Sequence, residues 1–122
     1  MRFVRTAGLT AVAALAVTAT PVLAHPKLLS STPAAGATVG PVKDISMHFS
    51  EGLVAPVSGA DLAMDMKGMA PMKMTVKTAV KDGKTFVITP GATLMTGHYI
   101  LSWHVVSTDT HRVEGKLAFT VK

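Results

Sequence analysis

Methionine is concentrated in one short stretch of this chain. Five of the eight methionines lie in the segment LAMDMKGMAPMKM, residues 62–74. They are Met64, Met66, Met69, Met72 and Met74. Thioether sulfur is a neutral, soft ligand, so it suits Cu(I) and discriminates against Zn²⁺, Mg²⁺ and Ca²⁺. The stretch therefore carries the ligand chemistry of a soft-metal site.

The same stretch has the pattern of a hairpin. Two alternating arms flank a centre in which Gly68 and Pro71 favour a turn. Pairing of these arms would bring several thioethers near one end. Two other interpretations remain open: the methionines fill the core, because methionine is an adaptable packing residue, or they form a flexible surface for hydrophobic partners.

Residues 1–24 have the three regions of a secretory signal. Two arginines supply the positive start, a small apolar run follows, and the tripeptide VLA presents the small residues that a signal peptidase reads. The apolar run is too short, and too rich in alanine and threonine, to be a good membrane span. We therefore predict a cleaved signal peptide over 1–24 and a mature domain over 25–122 that begins with His25.

A histidine at a free N-terminus is a chelating group. The α-amine and ring Nδ1 of His25 can bind one ion together and close a chelate ring, and such nitrogens in a tetragonal set favour Cu(II). Pro26 has no backbone N–H, so the amide after His25 cannot become a further nitrogen ligand. Positions on the ion would remain for a second histidine and an oxygen.

The segment STDTHRVEG contains a candidate for that second histidine. Asp109 and His111 are two positions apart, and in an extended segment such residues point to the same side, so both could face one point. Alternatively, Asp109 forms a turn and His111 is simply exposed. We interpret the remaining histidines as surface or hydrogen-bonded residues, because nothing nearby in the sequence completes a metal set. They are His48, His98 and His104.

Composition excludes several classes of protein. The chain has no cysteine, so it can form neither a disulfide nor a thiolate metal site. Lysine and arginine total 12 against seven acidic residues, a net charge of +5 at pH 7. The lysines are scattered and aromatic residues are few, so the chain lacks the footprint of a nucleic-acid-binding protein.

The elements that must position these residues are short strands. Alternating or β-branched runs occupy residues 44–50, 61–66, 72–76, 85–89, 98–106 and 116–121. Turn signals such as Asp82-Gly83 separate them, and no part of the mature chain sustains a 3.6-residue apolar period over three turns. We predict one all-β sandwich or small barrel with Trp103 in its core.

Taken together, these residues resemble the copper resistance protein C (CopC/PcoC) family of periplasmic copper-binding proteins. The markers are HPKLLSSTP at 25–33, MHFSEGLV at 47–54, the methionine stretch, ITPGATLMTGHY at 88–99 and WHVVSTDTH at 103–111. The resemblance covers nearly all of the predicted mature chain. It implies a single-domain Greek-key β-barrel or sandwich, cupredoxin-like or immunoglobulin-like, that is not an enzyme.

The resemblance also implies two sets of copper ligands. The Cu(II) set comprises His25, Glu51, Asp109 and His111. The Cu(I) set comprises Met64, Met66, Met69 and Met72, with Met74 as an additional methionine of this chain. Related chains often have a histidine in the methionine loop, where this one has Ala70-Pro71.

The implied function is to sequester or carry copper in the periplasm for copper resistance or homeostasis. The expected partners are copper ions and an inner-membrane copper transporter of the CopD type or other periplasmic copper proteins, with the chain itself a monomer.

Two other functions remain open. One is a small copper oxidase or monooxygenase with an N-terminal histidine brace, although one Trp and one Tyr are few for stacking on sugars. The other is a metal-free immunoglobulin-like interaction module, which would leave the methionine cluster unexplained.

Overall fold

The computed structural model describes residues 25–122, so the signal peptide predicted for 1–24 lies outside the described residues. Nine strands and one 3₁₀ turn, Ala55–Val57, make up the regular structure, and residues 25–122 contain no α-helix. The strands are β1 Leu28–Thr32, β2 Thr38–Val39, β3 Ile45–Phe49, β4 Gly59–Asp65, β5 Met72–Met74, β6 Val76–Lys81, β7 Thr85–Pro90, β8 Gly97–Val106 and β9 Arg112–Val121.

These strands form two sheets. One has the order β1-β3-β7-β6 and the other has the order β2-β9-β8-β4-β5. All neighbours pair antiparallel except β2 and β9, which are parallel. The chain crosses repeatedly between the sheets, for example from β1 to β2, from β3 to β4 and from β7 to β8. The predicted all-β Greek-key sandwich is therefore confirmed.

Side chains between the two sheets form one hydrophobic core. β3 contributes Ile45, Met47 and Phe49, all fully buried, on the face that the alternation predicted. Trp103 of β8 is 8% exposed and meets Phe49 edge to face, with ring centres 5.3 Å apart. The predicted core position of Trp103 is confirmed.

The strand pattern differs from the prediction in three places, one of which is β6, Val76–Lys81, where the sequence predicted no strand beyond Val76. β1 and β2 match none of the predicted runs, because their side chains are mostly exposed and show no apolar alternation. The run 72–76, predicted as one strand, is divided: β5 pairs with β4 in the five-stranded sheet, whereas Val76 begins β6 in the other sheet. A two-residue period looks the same in either sheet, so the pattern could not indicate the crossing at Thr75.

β8 joins the two ends of the sandwich. Its ten residues, Gly97–Val106, span about 30 Å at roughly 3.3 Å per residue. The β4–β5 hairpin, which carries the methionines, adjoins the Gly97 end, whereas the segment 107–111 follows the other end. The two predicted ligand sets therefore lie at opposite ends of the five-stranded sheet. Among residues 25–122, no helix has the length and apolar character needed to cross a membrane.

Candidate metal centres

The end of the sandwich at segment 107–111 is here called the histidine end, and the end at the β4–β5 hairpin is here called the methionine end. The histidine end includes the start of the described chain. Lys27 and Ser50 exchange two hydrogen bonds: the Lys27 N–H donates to the Ser50 hydroxyl and the Ser50 N–H donates to the Lys27 carbonyl, both at 2.9 Å. Pro26 is buried, whereas His25 is exposed. The neighbours of His25 therefore hold the start of the described chain against the loop after β3, with His25 itself exposed.

The segment 107–111 connects β8 to β9 through a tight turn. The Thr110 N–H donates to the Ser107 carbonyl and the Ser107 N–H donates to the His111 carbonyl, both at 2.9 Å. Thr110 adopts φ +74°, in the left-handed region. The segment is therefore not extended, and the two-residue spacing argument for Asp109 and His111 was wrong in its geometry.

Asp109 and His111 nevertheless meet, because the turn brings them together. Asp109 Oδ2 lies 3.2 Å from His111 Nδ1. The other carboxylate oxygen accepts a hydrogen bond from the hydroxyl of Ser107, whose side chain is almost completely buried. Both oxygens of Asp109 thus have partners within the turn, and one of them lies next to Nδ1 of the imidazole.

The electrostatics of the turn follow from these contacts. The hydrogen bond from Ser107 is the largest cause that lowers the pKa of Asp109 below its usual value, and His111 lowers it further. Nδ1 of His111 is itself buried and has no well-aligned hydrogen bond, although it lies close to the carboxylate. A carboxylate oxygen at this distance favours the imidazole tautomer that carries its proton on Nδ1.

The structure brings His25 to His111. Their ring centres are 4.8 Å apart and the ring planes are inclined by 67°. Nitrogen–metal bonds to imidazole are about 2.0–2.1 Å long, so rings this close can share one ion after a small adjustment. The two histidines that the sequence separates by most of the domain are thus in contact at the histidine end.

Glu51 is positioned at the same end by its two neighbours in the chain. Ser50 is bonded to Lys27, as described above, and the Gly52 carbonyl accepts a hydrogen bond of 2.9 Å from the Thr108 N–H. The half-buried Glu51 therefore lies between an anchor to the N-terminal segment and an anchor to the turn. Its carboxylate forms no ion pair with either histidine.

No three side chains of His, Cys, Asp or Glu converge as a ready-made metal cluster anywhere in residues 25–122. The histidine end supplies two imidazoles in contact and a carboxylate behind one of them. The α-amine of His25 is a backbone group, and it is an amide while residue 24 remains attached. The donor set fits Cu(II) only when that amine is free, because it then offers three nitrogens and an oxygen.

The methionine end is built from the β4–β5 hairpin, which confirms the predicted pairing of its arms. Met64 is the cross-strand partner of Met72, and Leu62 is the partner of Met74. The hairpin turns between Met66 and Met69: the Met69 N–H donates to the Met66 carbonyl at 3.0 Å, with Gly68 at φ +75°. Glycine meets the need of this turn for a positive φ.

The five methionines differ in how far they contribute to packing. Met64 and Met74 are half-buried and pack on the core, whereas Met69 is 67% exposed and Met72 is 42% exposed. Met66 is half-buried at the start of the turn. Thioethers that face solvent from a turn add little to the core, so packing accounts for only part of this cluster.

The other three histidines lie on the surface or form hydrogen bonds with threonine hydroxyls. His48 is exposed, and its Nδ1 lies 3.1 Å from the Thr85 hydroxyl. His98 is exposed as well, with its Nδ1 2.6 Å from the Thr120 hydroxyl. His104 lies over Gly59 on the outer face of the five-stranded sheet, next to a shallow groove of about 470 Å³. The interpretation of these residues as surface or hydrogen-bonded histidines is confirmed.

Two residues of interest were not identified from the sequence. Ser107 positions Asp109 through its hydroxyl, and its only signal in the sequence was a place two residues before Asp109. Met95 is 63% exposed in the loop before β8 and is distant in sequence from the other methionines. The feature that distinguishes Met95 is the exposure of its apolar side chain, and the sequence alone does not show that exposure.

Comparison with protein families and known proteins gives consistent results. The CopC domain model matches residues 28–122. A copper resistance protein C from Pseudomonas syringae pv. tomato is 50% identical over 103 residues, which cover 81% of this chain and 82% of that protein.

Solved structures show the same likeness. The crystal structure of PcoC, a methionine-rich copper resistance protein from Escherichia coli, matches with a TM-score of 0.75 and 44% identity, over 81% of this chain and all of that one. CopC from Methylosinus trichosporium OB3b matches with a TM-score of 0.68 and 26% identity, over 80% of this chain and 94% of that one.

Proposed function

The chain belongs to the CopC family, and from this premise we propose that it is an exported copper-binding protein that holds Cu(II) at its histidine end and Cu(I) at its methionine end. The relatives named copper resistance protein C support the choice of metal. The observation that carries the proposal is the contact between His25 and His111, with ring centres 4.8 Å apart, at the end of the sandwich opposite the methionine hairpin.

The Cu(II) site consists of nitrogen donors from two parts of the chain. His25 supplies its α-amine and ring Nδ1 after cleavage, and His111 supplies Nε2, because its Nδ1 faces Asp109. Imidazole and amine nitrogens are the donors that Cu(II) prefers in a tetragonal set. The remaining position falls to an oxygen.

The carboxylates at this end have different roles. Asp109 holds the ring of His111 and neutralises part of the charge of the ion, as carboxylates do for metal-bound histidines in other proteins. It binds the ion directly only if one oxygen leaves its present partner, Ser107 or His111. Glu51 is the second candidate for the oxygen ligand, since its backbone is fixed between the two segments that supply the histidines.

The Cu(I) site consists of thioethers of the hairpin. Met64 and Met72 are cross-strand partners, and Met66 and Met69 flank the turn, so the four surround one end of the hairpin. Soft, neutral sulfur ligands stabilise Cu(I) without the release of a proton. Met74 is one register step further from the turn, opposite the buried Leu62, so it ranks behind the other four as a ligand.

The cellular setting follows from the N-terminal segment. Residues 1–24 act as a cleaved signal peptide, and residues 25–122 act in the periplasm as a monomeric copper carrier or store. A membrane transporter of the CopD type or another periplasmic copper protein receives the metal. The protein has no enzymatic role in this proposal, since binding and transfer account for both ligand sets.

Two variants of residues 25–122 test the proposal together. His111→Ala is expected to weaken Cu(II) binding by at least about 100-fold, because it removes a ligand and not merely an outer-shell partner. Replacement of Met64, Met66, Met69 and Met72 together by leucine is expected to abolish Cu(I) binding with little loss of stability, because the exchange nearly conserves volume. Each variant is expected to retain the other oxidation state, as measured by competition with chelators of known affinity.

The matched controls are His98→Ala, an exposed histidine at the opposite end, and Met47→Leu, a methionine in the core. Both are expected to bind copper like the parent protein. Retention of Cu(II) by His111→Ala, or of Cu(I) by the fourfold leucine variant, would contradict the corresponding half of the proposal.

A further inference from the structure

A sixth methionine lies outside the hairpin with its side chain in solvent. Among the large apolar residues of 25–122 that are exposed, three are methionines: Met69 at 67%, Met72 at 42% and Met95 at 63%. The first two belong to the hairpin. Met95 lies in the loop of residues 91–96, between β7 and β8, outside the Cu(I) ligand set proposed above.

The backbone of this loop is anchored on both sides of Met95. Leu94 is 4% exposed and packs in the core. The hydroxyl of Tyr99, itself buried, donates a hydrogen bond of 2.7 Å to the Met95 carbonyl. At the start of the loop, the Gly91 N–H donates to the Thr75 carbonyl at 2.8 Å. The exposure of Met95 is therefore a property of an anchored loop, and packing covers only the smaller part of this residue.

The same loop ends beside the methionine hairpin. Residue 97 is a glycine, and the place of its missing side chain is filled by Met64, whose Sδ lies 3.8 Å from the ideal Cβ position. Met95 is two residues before Gly97, and two residues of chain span at most about 7 Å. A flexible three-bond side chain can cover the rest of the distance, so the sulfur of Met95 can reach the neighbourhood of Met64.

The pairing of β4 with β8 also places the hairpin beside the 91–96 loop. The register of β4 and β8 pairs Met64 with Tyr99 and, at the end of β4, Asp65 with His98. Met66 is the next residue of the hairpin after that last pair. The turn of the hairpin therefore begins beside the end of the 91–96 loop. Two separate segments, the hairpin and this loop, present exposed or half-buried thioethers at one end of the five-stranded sheet.

We propose that Met95 is a further thioether ligand of the soft-metal site, supplied by the 91–96 loop to an ion held by the hairpin. The inference rests on the proposed function, since it needs the Cu(I) site to exist. A hairpin turn alone offers its sulfurs from one side, and Met95 adds a donor from a second, anchored segment. Copper(I) at this end then links the β4–β5 hairpin to the β7–β8 loop.

The test is a Cu(I) competition titration of Met95→Leu in residues 25–122, with Met47→Leu as the control for loss of a methionine in the core. We expect Met95→Leu to bind Cu(I) about tenfold or more weakly and to show one sulfur fewer around copper in X-ray absorption spectra. We expect its Cu(II) binding to be unchanged. Because Met95 is exposed, the variant is expected to keep the parental circular dichroism spectrum.

The outcomes separate this inference from the proposed function. If Met95→Leu matches the parent in Cu(I) affinity and sulfur count while the fourfold leucine variant of the hairpin has lost Cu(I), the inference about Met95 is wrong and the hairpin site stands. If the fourfold variant keeps Cu(I), the proposed hairpin site is wrong, and the role of Met95 is overturned with it.

Discussion

At the scale of single residues, the most informative contact is the one that holds His111. The buried hydroxyl of Ser107 bonds to one oxygen of Asp109, and the other oxygen lies 3.2 Å from Nδ1 of His111. Each group positions the next one, so in the proposed site Ser107 acts through Asp109 on the nitrogen of His111 that is left available for the ion. Such outer partners are commonly as important to a metal site as some ligands.

Ser107→Ala tests this chain of contacts. The pKa of Asp109 is expected to rise towards its ordinary value, because its largest lowering cause is removed, and Cu(II) affinity is expected to fall about 10–100-fold. NMR titration of the Asp109 carboxylate and a Cu(II) competition assay measure the two effects. The control is Ser58→Ala, another buried hydroxyl with two hydrogen bonds. An unchanged pKa of Asp109 in Ser107→Ala would contradict the account of the turn.

The lowered pKa of Asp109 also predicts how the stability of the fold changes with pH. A carboxyl whose pKa is lower in the folded than in the unfolded state stabilises the fold at pH values above its unfolded-state pKa, which is near 3.8. This contribution is lost as the pH falls through the lower, folded-state pKa. The parent is therefore expected to lose more stability below about pH 4 than Asp109→Asn does. Urea unfolding of both proteins at pH 7 and at pH 3 measures the difference, and equal losses would exclude the effect.

The variant Asp109→Asn also tests whether Asp109 contributes less than His111 to Cu(II) affinity. An amide cannot stabilise His111 in the same way, so Cu(II) affinity is expected to fall, but by less than in His111→Ala, because nitrogen donors dominate a tetragonal Cu(II) site. Electron paramagnetic resonance is expected to keep the nitrogen pattern of the parent in Asp109→Asn and to lose one nitrogen in His111→Ala. The same nitrogen pattern in His111→Ala and the parent would show that His111 is not a ligand.

At the scale of elements, the hairpin depends on a glycine of the neighbouring strand. The methyl group of Met64 occupies the place where a Cβ at Gly97 would be, and Gly97 has φ +157°, which also favours glycine. Gly97→Ala is expected to displace Met64, to lower Cu(I) affinity by about tenfold and to destabilise the fold by about 1 kcal/mol. Chelator competition and thermal unfolding measure these effects.

Gly40→Ala is the control for Gly97→Ala, because a Cβ at Gly40 meets nothing within 4 Å and its φ is not positive. Its Cu(I) affinity is expected to equal that of the parent. Cu(II) binding of Gly97→Ala is also expected to be unchanged, since Gly97 lies at the far end of β8 from the histidines. Unchanged Cu(I) affinity in Gly97→Ala would exclude Met64 as a ligand fixed by this contact.

The elements also show why the sequence predicted some features and missed others. Alternating apolar residues predicted β3, β8 and β9, because each buries one face in the core. β1 was missed because it is exposed at the edge of its sheet, where no apolar pattern is needed. The meeting of Asp109 with His111 was predicted from an extended segment, yet it depends on a turn with Thr110 at φ +74°, which the residue types did not indicate.

At the scale of the whole molecule, the proposed sites are separated by the length of β8, about 30 Å. Copper at one end therefore has no direct contact with copper at the other. Imidazole and amine must lose their protons to bind a metal, whereas thioethers carry none. We expect Cu(II) affinity to fall steeply from pH 8 to pH 5 and Cu(I) affinity to stay nearly constant. Parallel competition assays across this range measure both, and equal slopes would contradict two chemically distinct sites.

Cleavage of the signal peptide is expected to create the Cu(II) site. A protein with one extra alanine before His25 has an amide where the mature form has an amine, so it loses the chelate ring. We expect its Cu(II) affinity to be lower by about 100-fold or more and its Cu(I) affinity, which serves as the internal control, to be unchanged. Equal Cu(II) affinity of the extended and mature forms would show that the α-amine is not a ligand.

The most direct test of the central claim is a titration of residues 25–122 with copper in both oxidation states, with Cu(II) followed by electron paramagnetic resonance and Cu(I) by X-ray absorption. We expect one equivalent of Cu(II) in a nitrogen-rich site and one equivalent of Cu(I) in a sulfur-rich site. Neither ion should displace the other, whichever is added first. Competition of the two ions for a single site, or failure of either to bind, would contradict the account.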